Sequence, residues 1–158
     1  MQPKRASDSA TEMVQVVLPN DANPLGFILG GTVMHLIDIA GAIASFRHAR
    51  SRVVTAAVDD LVFLHPIKVG DLIVLKAHVT CTFKTSLEVQ VDVFSEESLT
   101  GARRMTSRAF LTFVAIDENG AHVDVPPLLI ETADEEHVCD DARARRAQRL
   151  QRRTATQG

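Results

Sequence analysis

Between Thr32 and Phe46 the chain reads TVMHLIDIAGAIASF, with Thr32, His35, Asp38 and Ser45 as its only polar side chains. Ala40, Gly41, Ala42 and Ala44 are small. A helix this apolar on all sides must be covered on most of them, so the rest of the domain has to wrap around it. Arg47 and Arg50 follow where the negative end of a helix dipole favours cations. Beyond them the pattern changes to period two. Val53–Leu64 is rich in β-branched residues and stops at Pro66, and Asp71–Cys81 follows the turn Val69-Gly70. In Leu87–Phe94, Leu87, Val89, Val91 and Val93 face one way and Glu88, Gln90 and Asp92 the other. Arg104–Ile116 ends in AFLTFVAI, which suits burial on both faces. Ahead of the helix, residues 13–18 (MVQVVL) form a strand halted by Pro19, and residues 19–31 carry the Pro, Asn, Asp and Gly of a loop. One helix cannot cover both faces of such a sheet. The order therefore predicts an α+β domain, an antiparallel sheet curled around a single central helix. Its convex face and edges would be covered by a second copy.

The chain has 158 residues, which suits one domain, and 46% of them are apolar, enough for a core. A net charge of −3 gives no overall attraction to polyanions, and with no Trp or Tyr there is little to stack on bases. The expected organisation is a flexible tail over 1–12, the wrapped domain over 13–125 and a charged helical extension over 126–158. The N-terminus lacks the apolar stretch of a secretory signal, and no run reaches the ~18 apolar residues that span a bilayer. A cytoplasmic protein is expected, with Cys81 and Cys139 as free thiols in a reducing compartment. After Pro126-Pro127, the acids Glu131, Asp134, Glu135, Glu136, Asp140 and Asp141 precede six arginines from Arg143 to Arg153. That order matches a helix dipole, and Asp141 with Arg145 makes a favourable i,i+4 pair. Such a helix is either a solvated or packing element or a basic arm for phosphates, and the neighbouring acids oppose nucleic acid.

Asp38 is the odd residue. A carboxylate in an apolar helix is either paired, with His35 one turn earlier as the nearest candidate, or a catalytic base or nucleophile. Gly30-Gly31 opens the helix, where N–H groups lack acceptors and glycine admits close approach. That is an oxyanion site or simply a tight turn. Asn23 is a turn residue or a group that orients water or a carbonyl. Asp38 lies ~12 Å along the helix from Gly30, so if both act on one carbonyl, one of them comes from another copy.

The run NDANPLGFILGGTVMHLIDIAGAIAS resembles the hallmark segment of the hot-dog acyl-CoA thioesterases, the cytosolic long-chain hydrolases and their bacterial relatives. The likeness continues through RHARSRVVTAAVDDLVFLHPIKVGDLI, FKTSLEVQVDVFSEESLTGARRMTSRAFLTFVAID and VPPLLIETADEE, over about residues 13–136. It implies the hot-dog fold, hydrolysis of acyl-CoA to free acid and CoA, and dimers that assemble as trimers of dimers into a homohexamer. It implies that Asn23 and Asp38 are the catalytic pair, contributed by opposite halves of a dimer, with the oxyanion at Gly30 and Gly31. Thr55 resembles a family position near the site, and Lys84, Thr85 and Ser86 resemble a segment that contacts CoA, although three such residues also make an ordinary polar hairpin. No cofactor is implied beyond CoA as part of substrate and product. The histidines show no ligand spacing, so no metal is expected. Leu29 stands where relatives often place His or Phe, which leaves the acyl-chain preference open. The rival readings are another hot-dog chemistry such as dehydration, a non-catalytic acyl-CoA-binding regulator, and a structural oligomer using the Arg-rich tail.

Overall fold

In the computed structural model, which describes residues 1–157, the apolar run becomes α2 (Gly30–Ala49). Leu36, Ile37, Ala40, Ala44 and Ala49 are buried along it. It ends at Arg50, whose left-handed conformation (φ 50°) lets its N–H reach the Phe46 carbonyl. The sheet strands are β2 (Thr11–Val16), β3 (Arg52–Phe63), β4 (Leu72–Thr82), β5 (Ser86–Glu96) and β6 (Arg103–Ile116). They lie in the order β2-β4-β5-β6-β3, antiparallel throughout. Alternation sets their inner face: Ile73, Leu75, Ala77 and Val79 on β4, Leu87, Val89, Val91 and Val93 on β5, and Ala109, Leu111, Phe113 and Ala115 on β6 share one core with α2. The helix sits so close to β6 that a Cβ on Gly41 would lie 2.9 Å from the Phe113 ring, so any larger residue there would force that buried ring to shift.

The N-terminal residues expected as a tail are instead folded. β1 (Lys4–Arg5) pairs in parallel with β7 (Leu128–Leu129), and α1 (Ala6–Ser9) brings the buried Ser9 hydroxyl 2.9 Å from the Val79 N–H, whose bond it accepts. These are largely backbone bonds and leave no hydrophobic pattern to read. The expectation of two free thiols also fails, because Cys81 and Cys139 form a disulfide across 58 residues. A bulge between Val79 and Cys81 breaks the β4 alternation. Cys81 thereby joins a small buried cluster with Cys139 and Ala142, apart from the main core.

The charged extension is α3 (Ala133–Gln157), and it packs on the outer face of the sheet. Arg145 does not take Asp141 as its partner. It reaches Glu88 on β5 with two bonds of 2.9 and 3.0 Å, and its guanidinium lies 3.6 Å from the centroid of the Phe110 ring. Arg149 reaches Asp59 on β3 at 2.7 Å.

The connection to this extension is clamped by His48, fully buried near the end of α2, whose Nε2–H donates to the Pro126 carbonyl at 2.7 Å. Burial pushes the imidazole below its ordinary value and outweighs the Pro126 bond, which acts the other way; Lys4 adds to the lowering and Asp8 opposes it. A base with a depressed folded pKa takes up its proton more readily when unfolded, so its stabilisation is present above about pH 6.5 and is lost as pH falls through that value. The melting temperature should therefore drop from about pH 7.5 to about pH 5.5, and less steeply in His48→Gln, which keeps a donor for Pro126 but cannot titrate. An unchanged slope in that variant would remove His48 from the account.

Candidate active site

The loop before α2 folds around one side chain. Asn23 Oδ1 accepts from the N–H of Leu25 (3.0 Å) and of Phe27 (3.2 Å), while its own N–H donates to the Phe27 carbonyl (2.8 Å). Gly26, at φ 86°, supplies the left-handed residue this tight turn needs. With its oxygen engaged, Asn23 has its amide Nδ2 hydrogens left to donate. The residue lines a cavity of about 350 Å³ together with Phe27, Ile28, Gly30, Val33 and Phe63. Gly30 and Gly31 are the first two residues of α2, and Leu29 gives no side-chain cap. Their N–H groups have no intrahelical acceptor and carry the positive end of the dipole. Nothing lies within 4 Å of where a Gly31 Cβ would be, so a ligand atom has room to approach.

Asp38 sits two turns further along α2 and is half-buried. His35 is exposed and makes no bond to it among the described residues. Its partner is Thr55 on β3, whose Oγ1 donates to Asp38 Oδ1 at 2.7 Å. That bond orients one carboxylate oxygen and leaves Oδ2 free for a proton or an electrophile.

Register separates the two groups. Thr55 lies opposite Phe113, which lies opposite Leu87; Phe63 lies opposite Ser107, which lies opposite Val93. Phe113 and Ser107 are six residues apart on β6, ~20 Å at about 3.3 Å per residue. Asn23 and Gly30 share the cavity with Phe63, and Asp38 does not line it. Within one chain the Asn23 amide and the Asp38 carboxylate therefore lie at different places along the helix. Lys84 and Thr85 form the hairpin between β4 and β5, and Ser86 opens β5 opposite Val114, itself opposite Val54. This puts the hairpin at the Thr55 end of the sheet, away from the Asn23 cavity. Phe63, His65 and Ser107 also line that cavity, and sequence reasoning missed them. The only available signal was polar Thr106-Ser107 within an apolar strand, both of which prove buried.

β3 is an edge strand and several of its apolar side chains are uncovered: Val54, Val58 and Val62 are 47%, 39% and 57% exposed, with Met34 and Phe46 of α2 also exposed. No cluster of three or more metal-binding side chains occurs among the described residues. No helix among them is long and apolar enough to cross a membrane.

Comparison with known proteins gives a consistent result. Residues 25–102 match the model of the thioesterase superfamily. The chain is 38% identical over 141 residues to the uncharacterized acyl-CoA thioester hydrolase YkhA of Bacillus subtilis, covering 89% of this chain and 82% of that one. Longer mammalian relatives, named cytosolic acyl coenzyme A thioester hydrolases, match as well, and the chain spans 38% of their length. Among solved structures, an apo-hexameric acyl-CoA thioesterase superposes with a TM-score of 0.90 at 41% identity, over 96% of this chain and 97% of that one. The acyl-CoA hydrolase of Staphylococcus aureus, solved with butyryl coenzyme A and coenzyme A, superposes with a TM-score of 0.88 at 34% identity, over 98% of this chain and 94% of that one. Structures of that enzyme include variants with an Asn, an Asp and a Thr each changed to alanine. Those three positions are fifteen and seventeen residues apart, as Asn23, Asp38 and Thr55 are here.

Proposed function

The chain belongs to the thioesterase superfamily, and on that premise we propose that it hydrolyses acyl-CoA thioesters to the free acid and CoA at a site built from two copies of the chain. The observation that carries this reading is the pairing of Thr55 with Asp38 in one half-site, with the Asn23 amide and the start of α2 in another. In a two-fold dimer, edge strand β3 runs antiparallel to its own copy and covers Val54, Val58 and Val62. The Phe63 end of one strand then lies beside the Thr55 end of the other, and each Asp38 faces the Asn23 cavity of the other copy. The hexameric relative supports further assembly of such dimers into a trimer of dimers.

The chemistry follows from the groups. The thioester carbonyl lies at the start of α2, where the Gly31 N–H and the Asn23 Nδ2–H stabilise the charge that develops on oxygen. Gly30 keeps the wall beside it free of a side chain. Asp38, steadied by Thr55, takes a proton from water as it attacks the carbonyl, or attacks first and yields an anhydride that water then opens. Either route forms a C–O bond, breaks the C–S bond and releases CoA as its thiol. The reaction needs no metal and no cofactor beyond the CoA of the substrate. Lys84, Thr85 and Ser86, at the Thr55 end, offer an ammonium and two hydroxyls to the CoA phosphates. The naming of the mammalian relatives supports a cytoplasmic setting, where the Cys81–Cys139 bond would be exposed to reduction.

The test is release of free CoA thiol from acyl-CoAs of short, medium and long chain. Turnover is expected on at least one of them, and its optimum assigns the acyl preference at the Asn23 cavity. Binding of acyl-CoA with no turnover on any chain length would make the protein a regulator on the same fold.

A further inference from the structure

Cys139, Ala142, Arg145 and Arg149 lie on one face of α3, and that face crosses the outer surface strand by strand. Cys139 meets β4 at Cys81, Arg145 meets β5 at Glu88 and β6 at Phe110, and Arg149 meets β3 at Asp59. The last contact falls on the edge strand, where the backbone is least regular. Register slips between Thr55 and Ala57, leaving Ala56 opposite no residue of β6, and slips again between Asp59 and Val62. Asp60 has φ 57°, which a non-glycine side chain seldom adopts. Within one chain β6 is the only strand that pairs with β3, so at each slip the chain's own ladder leaves residues of β3 without a partner. Asp59 is the fixed point between them. Its carboxylate is 11% exposed and meets Arg149 at 2.7 Å, with Arg152 at 3.9 Å. Arg149 is itself only 21% exposed, so this is not one of the solvent-screened pairs that hold nothing.

We propose that Arg149, acting through Asp59, is a positioning residue for Asp38. It fixes the bulged part of β3 from the outer face, so that Thr55 on the inner face stays within hydrogen-bond distance of the Asp38 carboxylate. The C-terminal helix thereby sets the geometry of an acid it never touches. The proposal rests on Asp38 being the acid of the reaction described above.

The experiment uses the full-length protein. Arg149→Ala, Arg149→Lys, the charge-swapped pair Asp59→Arg with Arg149→Asp, and Asp38→Asn are compared by kcat, KM, melting temperature and hydrogen exchange of the β3 amides. Arg149→Ala should lower kcat about tenfold, the scale on which small misplacement of a reacting group acts. KM should stay within about twofold, since uniform substrate binding is untouched. Exchange should quicken at residues 55–59. Arg149→Lys and the charge swap should recover most of kcat and of the protection. Should Arg149→Ala fail to fold, Arg149→Lys against the charge swap carries the same comparison. Unchanged kcat and exchange in Arg149→Ala, with turnover lost in Asp38→Asn, would overturn the proposal and leave the hydrolase reading standing. A fall in kcat that merely follows the melting temperature and is not rescued by the swap would make the pair structural and also overturn it. Full turnover in Asp38→Asn would overturn both readings.

Discussion

Mixing the Asp38→Ala and Asn23→Ala variants should restore turnover that neither has alone. Each variant by itself should lose about 10²-fold or more in kcat, the scale on which removing a positioned proton acceptor or an oxyanion donor is felt. If both residues served a site within one chain, a mixture of two crippled chains would stay crippled. If each site takes Asn23 from one copy and Asp38 from the other, a mixed dimer has one doubly damaged site and one intact site. Random reassortment makes half the dimers mixed, so turnover should return to about a quarter of the wild-type value. The structure motivates this, because Asn23 shares its cavity with Phe63 and Asp38 is not part of it. Subunit exchange by mild unfolding and refolding, followed by thiol release, is the measurement. No recovery with exchange verified by mass spectrometry would return both residues to one chain.

Arg145→Ala should be strongly destabilising although the residue lies away from the proposed site. Its guanidinium makes two bonds to Glu88, whose side chain is 2% exposed, and it covers the ring of Phe110. Removing it leaves that carboxylate with the Thr80 hydroxyl at 2.7 Å as its remaining side-chain partner. Stranding one member of a buried pair costs about 3 kcal/mol or more. For a chain of this size that is a fall of roughly 6–12 °C in melting temperature. Replacing both partners by apolar residues of similar volume removes the charge as well as its partner. Glu88→Met with Arg145→Met should therefore recover most of the loss. Thermal denaturation of the three forms decides it, and a double variant as unstable as the single would show that packing over Phe110, rather than the charge, is what the arginine supplies.

The central helix and the four strands after it were legible because each imposes a period. The apolar run predicted over 32–46 lies inside α2 (Gly30–Ala49), and the alternation from Leu87 to Val93 gives the inner face of β5. The same alternation puts Glu88 on the opposite face, as observed, but nothing local reveals that α3 will lie across it and bury it. The Cys81–Cys139 bond was hidden for a related reason: it depends on a bulge in one strand and the path of a helix 58 residues later. At the site, Asn23 and Asp38 were visible as residues and Thr55 through the resemblance, yet the pairing of Thr55 with the acid was not. His35 is nearer along the helix, but the curl of the sheet, which brings Thr55 over Asp38, is a tertiary fact.

The disulfide changes what kind of object the C-terminal helix is. Closing a loop of 58 residues removes chain entropy from the unfolded state, about 4 kcal/mol on the usual polymer estimate. It also makes α3 a tethered ligand of its own sheet. With Cys139 bonded to Cys81, the arginines beyond it cannot diffuse away when an ion pair opens, and they face Glu88 and Asp59 at the high effective concentration of a short leash. With the bond reduced, the same helix is held by reversible contacts alone. The oxidation state of two sulfurs would then set how often the outer face of the sheet is bare.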